Sequence, residues 1–265
     1  MKKRRSWVTK ALIVGLLVSS VLAGCAGQKE SGQAEASKQN KKLVMATSAD
    51  YPPYEFHDTS GGKDEIVGLD VDIAKYIAKE MGVELEIKDM DFNGLLPALQ
   101  ANRADFVMAG MTPTEERKKS VAFTGIYYEA KNTIVAKTGS NLTKMEDLAG
   151  KKVVVQLGST QQNAVEEAAK TIKGIEVTQL NKIGDLIQEL KSRRAQAAII
   201  EDTVAKGYVE SNKDLEMNAM ADNGENAYAV ALPIGSAHVE KFNQAIRKLK
   251  ASGELDKLTK KWFDK

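Results

Sequence analysis

From residue 42 to its end the chain alternates short apolar runs with segments of helical period, and that alternation restricts it to the α/β class before any single side chain is weighed. Lys42–Thr47 reads as a strand. Residues 70–81 set Val71, Ala74, Ile77, Ala78 and Met81 at helical spacing, 84–90 is a second strand, 94–102 a helix with Leu95, Leu96 and Leu99 inward, and 105–108 a third strand. A second set begins after Tyr127, Tyr128 and Glu129. Its strands are 151–157, 175–180 and 197–201, and its helices 160–172 and 183–193. Residues 227–232 form another extended run, and 236–265 carry Val239, Phe242, Ile246, Leu249, Leu255, Leu258 and Trp262 in an amphipathic stretch that Gly253 is expected to divide into two helices. Periodicity does not say which strands share a sheet.

The first 40 residues obey different rules. Lys2, Lys3, Arg4 and Arg5 precede an apolar run over 11–23 (ALIVGLLVSSVLA) that is short for a bilayer span but suits the core of a signal peptide. The run ends in Leu22-Ala23-Gly24-Cys25, the pattern of the bacterial lipoprotein processing box. Residues 1–24 are therefore expected to be a signal peptide and Cys25 the lipidated first residue of the mature chain. Cys25 is the only cysteine, which excludes internal disulfides, iron–sulfur clusters and zinc–cysteine sites. The remainder of the 25–40 segment, AGQKESGQAEASKQN, is too polar to fold and reads as a flexible tether with a reach of about 20 Å. The formal charge of +2 becomes −3 once the five Lys and Arg of the first 24 residues are removed, so neither charge nor any basic stripe points to nucleic acid.

The stretch DFVMAGMTPTEERKKSVAFT (105–124) carries the chemistry. An apolar strand runs into small residues, Ala109 and Gly110, and then Thr112, whose hydroxyl, with Pro113 and Glu115 behind it, predicts an N-cap at Thr112 and proline at the first helical position. Arg117 falls early in that helix. A guanidinium beside open backbone groups and a helix N-terminus suits a bidentate grip on a carboxylate or phosphate. A solvated surface helix would carry the same Arg117, Lys118 and Lys119 run.

The segment AGMTPTEERKKSVAFTGIYYEA resembles the α-carboxylate-binding segment of the amino-acid-binding proteins of ABC importers, and the resemblance extends over most of residues 42–265. It implies an α/β fold of the periplasmic-binding-protein-like type II: two α/β lobes joined by a two-stranded hinge, with the ligand cleft between them. The implied division is 41–130 with 226–265 for the first lobe and 131–225 for the second, with crossings near 129–133 and 222–227. Short extended crossings suit a hinge and ligand-gated closure of the lobes.

The same resemblance assigns the cleft residues. In TSADYPPYEF, Tyr51 matches the aromatic over the ligand side chain, and Phe92 in DFNGLLPAL matches the facing aromatic; two rings can sandwich a guanidinium or an amide. Ala109, Gly110, Met111, Thr112 and Arg117 match the α-carboxylate cradle. In QLGSTQQ, Gln156, Ser159, Thr160 and Gln161 lie at a strand end and a helix start, where N–H groups favour an anion and a plain helix cap would look the same. In IIEDTVA, Asp202 matches the aspartate that binds the α-ammonium, and Glu201 stands where the glutamine binder carries histidine, within reach of the distal end of the ligand. Ser48 replaces the aspartate of the enteric basic-amino-acid binders. The missing negative charge would then come from Glu201, or less directly from Glu55.

The ligand implied by these matches is a free amino acid of arginine type (arginine, lysine, histidine or ornithine), with glutamine as the alternative. The expected partners are an ABC permease with its ATPase and, through the lipid, the membrane, with the protein a monomer that uses no cofactor or metal. A cyclohexadienyl dehydratase shares the fold and is the enzymatic alternative, but His57 and His238 are the only histidines and no serine lies in a nucleophile elbow. A sensory or purely structural lipoprotein is the third class, and it too would need a partner.

Overall fold

The computed structural model describes residues 42–220 and 226–264. The signal peptide over 1–24, the lipidation of Cys25, the tether over 25–40 and part of the second crossing lie outside the described residues. The first set of elements is β1 (Lys42–Thr47), β2 (Asp50–Tyr51), β3 (Glu55–Asp58), β4 (Glu65–Val67), α1 (Leu69–Met81), β5 (Glu84–Asp89), α2 (Leu95–Gln100), β6 (Phe106–Val107), α3 (Glu115–Lys118), β7 (Ala122–Phe123) and β8 (Tyr128–Ala130). The second set is β9 (Asn132–Lys137), β10 (Lys152–Gln156), α4 (Thr160–Thr171), β11 (Glu176–Leu180), α5 (Ile183–Lys191), β12 (Ala197–Glu201), α6 (Asp202–Ser211) and β13 (Leu215–Ala219), after which come β14 (Asn226–Tyr228), β15 (Ala231–Leu232), α7 (His238–Ala251) and α8 (Glu254–Phe263).

Two five-stranded sheets organise the lobes, in the orders β5-β1-β6-β15-β7 and β11-β10-β12-β9-β13. In each, the central strand pairs are parallel, β1 with β5 and β6, and β10 with β11 and β12. The strand that enters from the other lobe runs antiparallel: β15 against β6 and β7, β9 against β12 and β13. The inner parallel strands are covered on both faces and mostly apolar, whereas the edge strands β5 (ELEIKD) and β11 (EVTQL) carry polar and charged residues. Val153 and Val155 pack with Ile134, Val165 and Ile199, whereas Val154 between them packs with Leu186, Leu190 and Ile200 on the opposite face. Phe106 and Val107 divide in the same way, toward Phe242 and toward Leu95.

The run over 227–232 is two strands rather than one. β14 pairs antiparallel with β8 in a separate two-stranded ribbon, and β15 continues into the first sheet. Residues 92–94 form a 3₁₀ turn ahead of α2, and α6 went unread in the sequence although Val204, Ala205, Tyr208 and Val209 repeat at helical spacing. Gly253, in left-handed backbone at φ 71°, separates α7 from α8. Among the described residues no helix is long and apolar enough to cross a membrane.

Candidate functional site

The site begins with a glycine that has no room for a side chain. Gly68 sits at φ 135°, and a Cβ there would fall 2.1 Å from the carbonyl oxygen of Tyr54. This approach lets the N–H groups of Leu69 and Asp70 donate to the carbonyls of Pro53 and Tyr54, each at 3.0 Å. The first turn of α1 is thereby stitched to the start of β3. Asp70 and Glu55, 15 positions apart in the chain, come within hydrogen-bond reach of each other.

Beyond the carboxyl ends of the parallel strands lies a narrow cavity, with the lobes drawn close around it. From the first lobe it is bordered by Ser48, Tyr51, Glu55, Phe92, Ala109, Gly110, Thr112 and Arg117, and from the second by Gln156, Ser159, Thr160 and Gln161. The lobes meet around it. Arg117 Nη2 donates to Gly158 O at 2.9 Å, and the Asp50 carboxylate caps the first N–H of α5 by accepting from Ile183 at 2.7 Å. Asp91 accepts from Asn181 at 2.9 Å and pairs with Lys182 at 3.3 Å. A Cβ on Gly158 would come within 3.1 Å of Asn93 Cβ, so the approach of the two backbones here needs glycine.

Charge is distributed unevenly around this space. Arg117 Nη1 donates to Thr112 O at 2.8 Å, and its guanidinium carbon lies 5.5 Å from the centre of the Phe92 ring. Burial lowers its pKa to about 10, which leaves it a cation at neutral pH. Glu55 is 1% exposed, and neither carboxylate oxygen has a hydrogen-bond donor. Burial, and after it the charge of Asp70, push its pKa well above the carboxylate range. Asp70 Oδ2 accepts from Gly110 N at 3.0 Å and from the Tyr127 hydroxyl at 2.7 Å, while its Oδ1 has no donor. Burial raises Asp70 to about 6 against the lowering effect of those two donors.

The structure gives several of these residues partners within the protein, and one cap differs from the expectation. The cap of α3 is Thr114, not Thr112: its hydroxyl accepts from Arg117 N at 3.2 Å, Glu115 opens the helix, and Pro113 stays outside it. Thr112 instead offers its carbonyl to Arg117. Gly110 spends its N–H on Asp70, and Met111, 1% exposed, is a core residue that does not border the cavity. Glu201 does not border it either. Its Oε1 accepts from Tyr54 at 2.9 Å and its Oε2 caps α6 by accepting from Val204 N at 2.8 Å, so the carboxyl is turned into the protein and burial raises it to about 8. Asp202 is half-buried outside the lining, with Oδ1 accepting from Thr203 N at 2.9 Å and Lys131 N at 3.3 Å. Ser159 caps α4 through Gln162 N at 3.0 Å.

Tyr228 is the lining residue that sequence reasoning missed. Its hydroxyl shares a hydrogen bond with Tyr51, and both rings lie 3.3 to 3.4 Å from where a Cβ on Gly110 would stand. An aromatic residue where the chain returns to the first lobe was the only signal it left.

Comparison with known proteins agrees with this architecture. The chain is 45% identical over 254 residues to the arginine-binding extracellular protein ArtP of Bacillus subtilis (strain 168), covering 95% of this chain and 96% of the relative. Its fold matches the crystal structure of the substrate-binding protein of an amino acid ABC transporter at a TM-score of 0.79 and 50% identity, over 84% of this chain and 100% of the other. It also matches an ancestral arginine-binding protein bound to arginine, at a TM-score of 0.79 and 43% identity, over 84% and 98% of the two chains. These structures share the two-lobed type II architecture, and the model of one protein family fits residues 43–265, so the chain belongs to the bacterial extracellular solute-binding proteins, family 3.

Proposed function

We propose that this chain captures a free cationic amino acid of arginine type between its lobes and delivers it to an ABC permease with its ATPase. The observation that carries this reading is the pairing around one small cavity of a half-buried guanidinium, Arg117, with a buried carboxyl group, Glu55, that no protein donor satisfies. An amino acid with a cationic side chain supplies a carboxylate for the first and a cation for the second. Burying an unpaired charge of either sign is prohibitive, so the two groups select for each other's complement. Glu55 takes the distal role for which Glu201 stood as a candidate. Arg117 and the open first turn of α4, with Thr160 and Gln161, receive the α-carboxylate, while Tyr51 and Phe92 flank the side chain.

Asp202 is assigned to the α-ammonium. It follows Glu201, whose register partner Asn132 accepts from Gln161 Nε2 at 2.9 Å and so ties this corner to the cavity wall. The lobes are taken as 41–130 with 226–265 and 131–225, and the β8–β14 ribbon as the hinge. Cys25 carries the lipid that holds the protein, a monomer, on the extracytoplasmic face of the membrane. The ligand leaves chemically unchanged, which mass spectrometry after incubation would check.

Binding to the folded form alone stabilises it by RT ln(1 + [L]/Kd), so a thermal-shift panel of amino acids ranks ligands directly. Arginine is expected first, lysine, ornithine and histidine next, and glutamine weaker. Strong stabilisation by glutamine with none by arginine would replace the cationic ligand with glutamine.

A further inference from the structure

Three carboxylate oxygens, both of Glu55 and Oδ1 of Asp70, are buried without a donor beside the cavity. The groups acting on this pair are Asp50 from β2, Asp89 from β5, and the hydroxyl of Tyr127, and Glu55 in turn acts on Tyr51; none of them is a cation. Arg117, the nearest candidate by its place in the lining, has given two of its donors to the Thr112 and Gly158 carbonyls. Two carboxylates in contact, both ionised and both dry, cannot persist, because each destabilises the charge of the other in a medium that does not screen it. Asp70 is the better supported as the anion, since Gly110 N–H, the Tyr127 hydroxyl and the N-terminus of α1 all favour its charge. Glu55 has no such help.

We propose that Glu55 and Asp70 hold one proton between them while the cleft contains no cation, and that the side chain of a cationic ligand replaces that proton on binding. The O–H bond of the Glu55 carboxyl breaks, its proton passes to solvent, and N–H···O bonds from the ligand cation form in its place. The proposal rests on the amino-acid-binding reading of the cleft. Asp70 acts as a positioning residue: it lies behind Glu55, and its fixed negative charge sets how tightly Glu55 keeps the proton. The consequence is competition between protons and cationic ligands that neutral ligands escape. Linkage then requires arginine affinity to fall by about tenfold for each pH unit below the upper titration of the pair, and neutral ligands to lack that slope.

The test is calorimetric titration of the full-length protein with arginine, and with citrulline as its neutral counterpart, at pH 7 in buffers of different ionisation enthalpy. About one proton released per arginine bound, with none for citrulline and none for arginine binding to Glu55→Gln, is the expected result. Asp70→Asn should reduce the release while arginine still binds. Arginine binding whose heat is independent of the buffer would overturn the proposal and leave the binding reading intact. Equal release with citrulline, or release that persists in Glu55→Gln, would place the proton elsewhere, for example on His57, and overturns it as well. If Glu55→Gln fails to fold, the arginine and citrulline results with the unmodified protein decide. Failure of every amino acid to bind would remove the binding reading and this proposal with it.

Discussion

Arg117 and Glu55 border the same cavity, yet the fold treats their charges in opposite ways. Arg117 is surrounded by compensation: two backbone carbonyls accept from it and a phenyl ring faces it. Glu55 is surrounded by further acids and accepts nothing. The cation is therefore held ready at all times, and part of its grip already spans the two lobes through Gly158. The acid is complete only when something positive arrives. In the proposed function, one charge serves any amino acid and the other chooses among them.

The comparison is broken most directly at Arg117. Removing one partner of a desolvated charge pair costs about 2 to 5 kcal/mol, so Arg117→Ala should weaken every ligand by roughly 30-fold to several thousand-fold. Calorimetry on the folded variant checks this, and a loss below about threefold would take Arg117 out of the site. Glu55→Gln should instead act selectively. It removes the charge and keeps the shape, so arginine should lose on the order of 2 kcal/mol, the lower end of that range, while glutamine binding changes by less than about threefold. Equal losses for both ligands would make Glu55 structural rather than selective.

Asp50 sharpens the contrast from outside the cavity. Its carboxylate caps α5 from the opposite lobe, and caps of this kind are worth about 0.5 to 2 kcal/mol. Asp50→Ala should therefore weaken arginine and glutamine alike by roughly 2- to 30-fold, with small-angle scattering showing a larger fraction of open molecules at subsaturating ligand. Unchanged scattering with unchanged affinity would show that the contact does not hold the lobes.

Glu201 supplies the smallest effect on ligand. It caps α6 and accepts from Tyr54, so Glu201→Gln should leave the ratio of arginine to glutamine affinity unchanged within about twofold. Its effect belongs to stability. The folded-state pKa, near 8, lies above the ordinary glutamate value of 4.5, so between those limits the folded protein binds more protons than the unfolded chain. Stability contributed by the protonated form is complete below 4.5 and is lost as the pH rises toward 8. Glu201→Gln should flatten the fall in melting temperature across that window, and an unaltered slope would assign the fall to other groups.

Much of the site could be read from the chain because its residues cluster in short segments at strand ends. TSADYPPYEF, AGMTPTEERKK and QLGSTQQ each supply neighbours of the cavity, and small residues, a helix start and an arginine carry their meaning locally. The elements were legible for the same reason: a strand covered on both faces must be apolar throughout, and a helix against a sheet must repeat its apolar residues near every third or fourth position. Only the tertiary structure decided which acid faces the cavity. Glu201 and Glu55 are both acidic residues beside apolar segments, and nothing within either segment says that one caps a helix while the other is left without a donor. That difference depends on partners far away in the chain: Tyr54 for Glu201, Asp70 and its two donors for Glu55. Tyr228 was invisible for a related reason, because it reaches the cavity only when the chain returns through the ribbon. The sequence determines what each group can donate, accept or bury, and packing determines which of those capacities remains unspent.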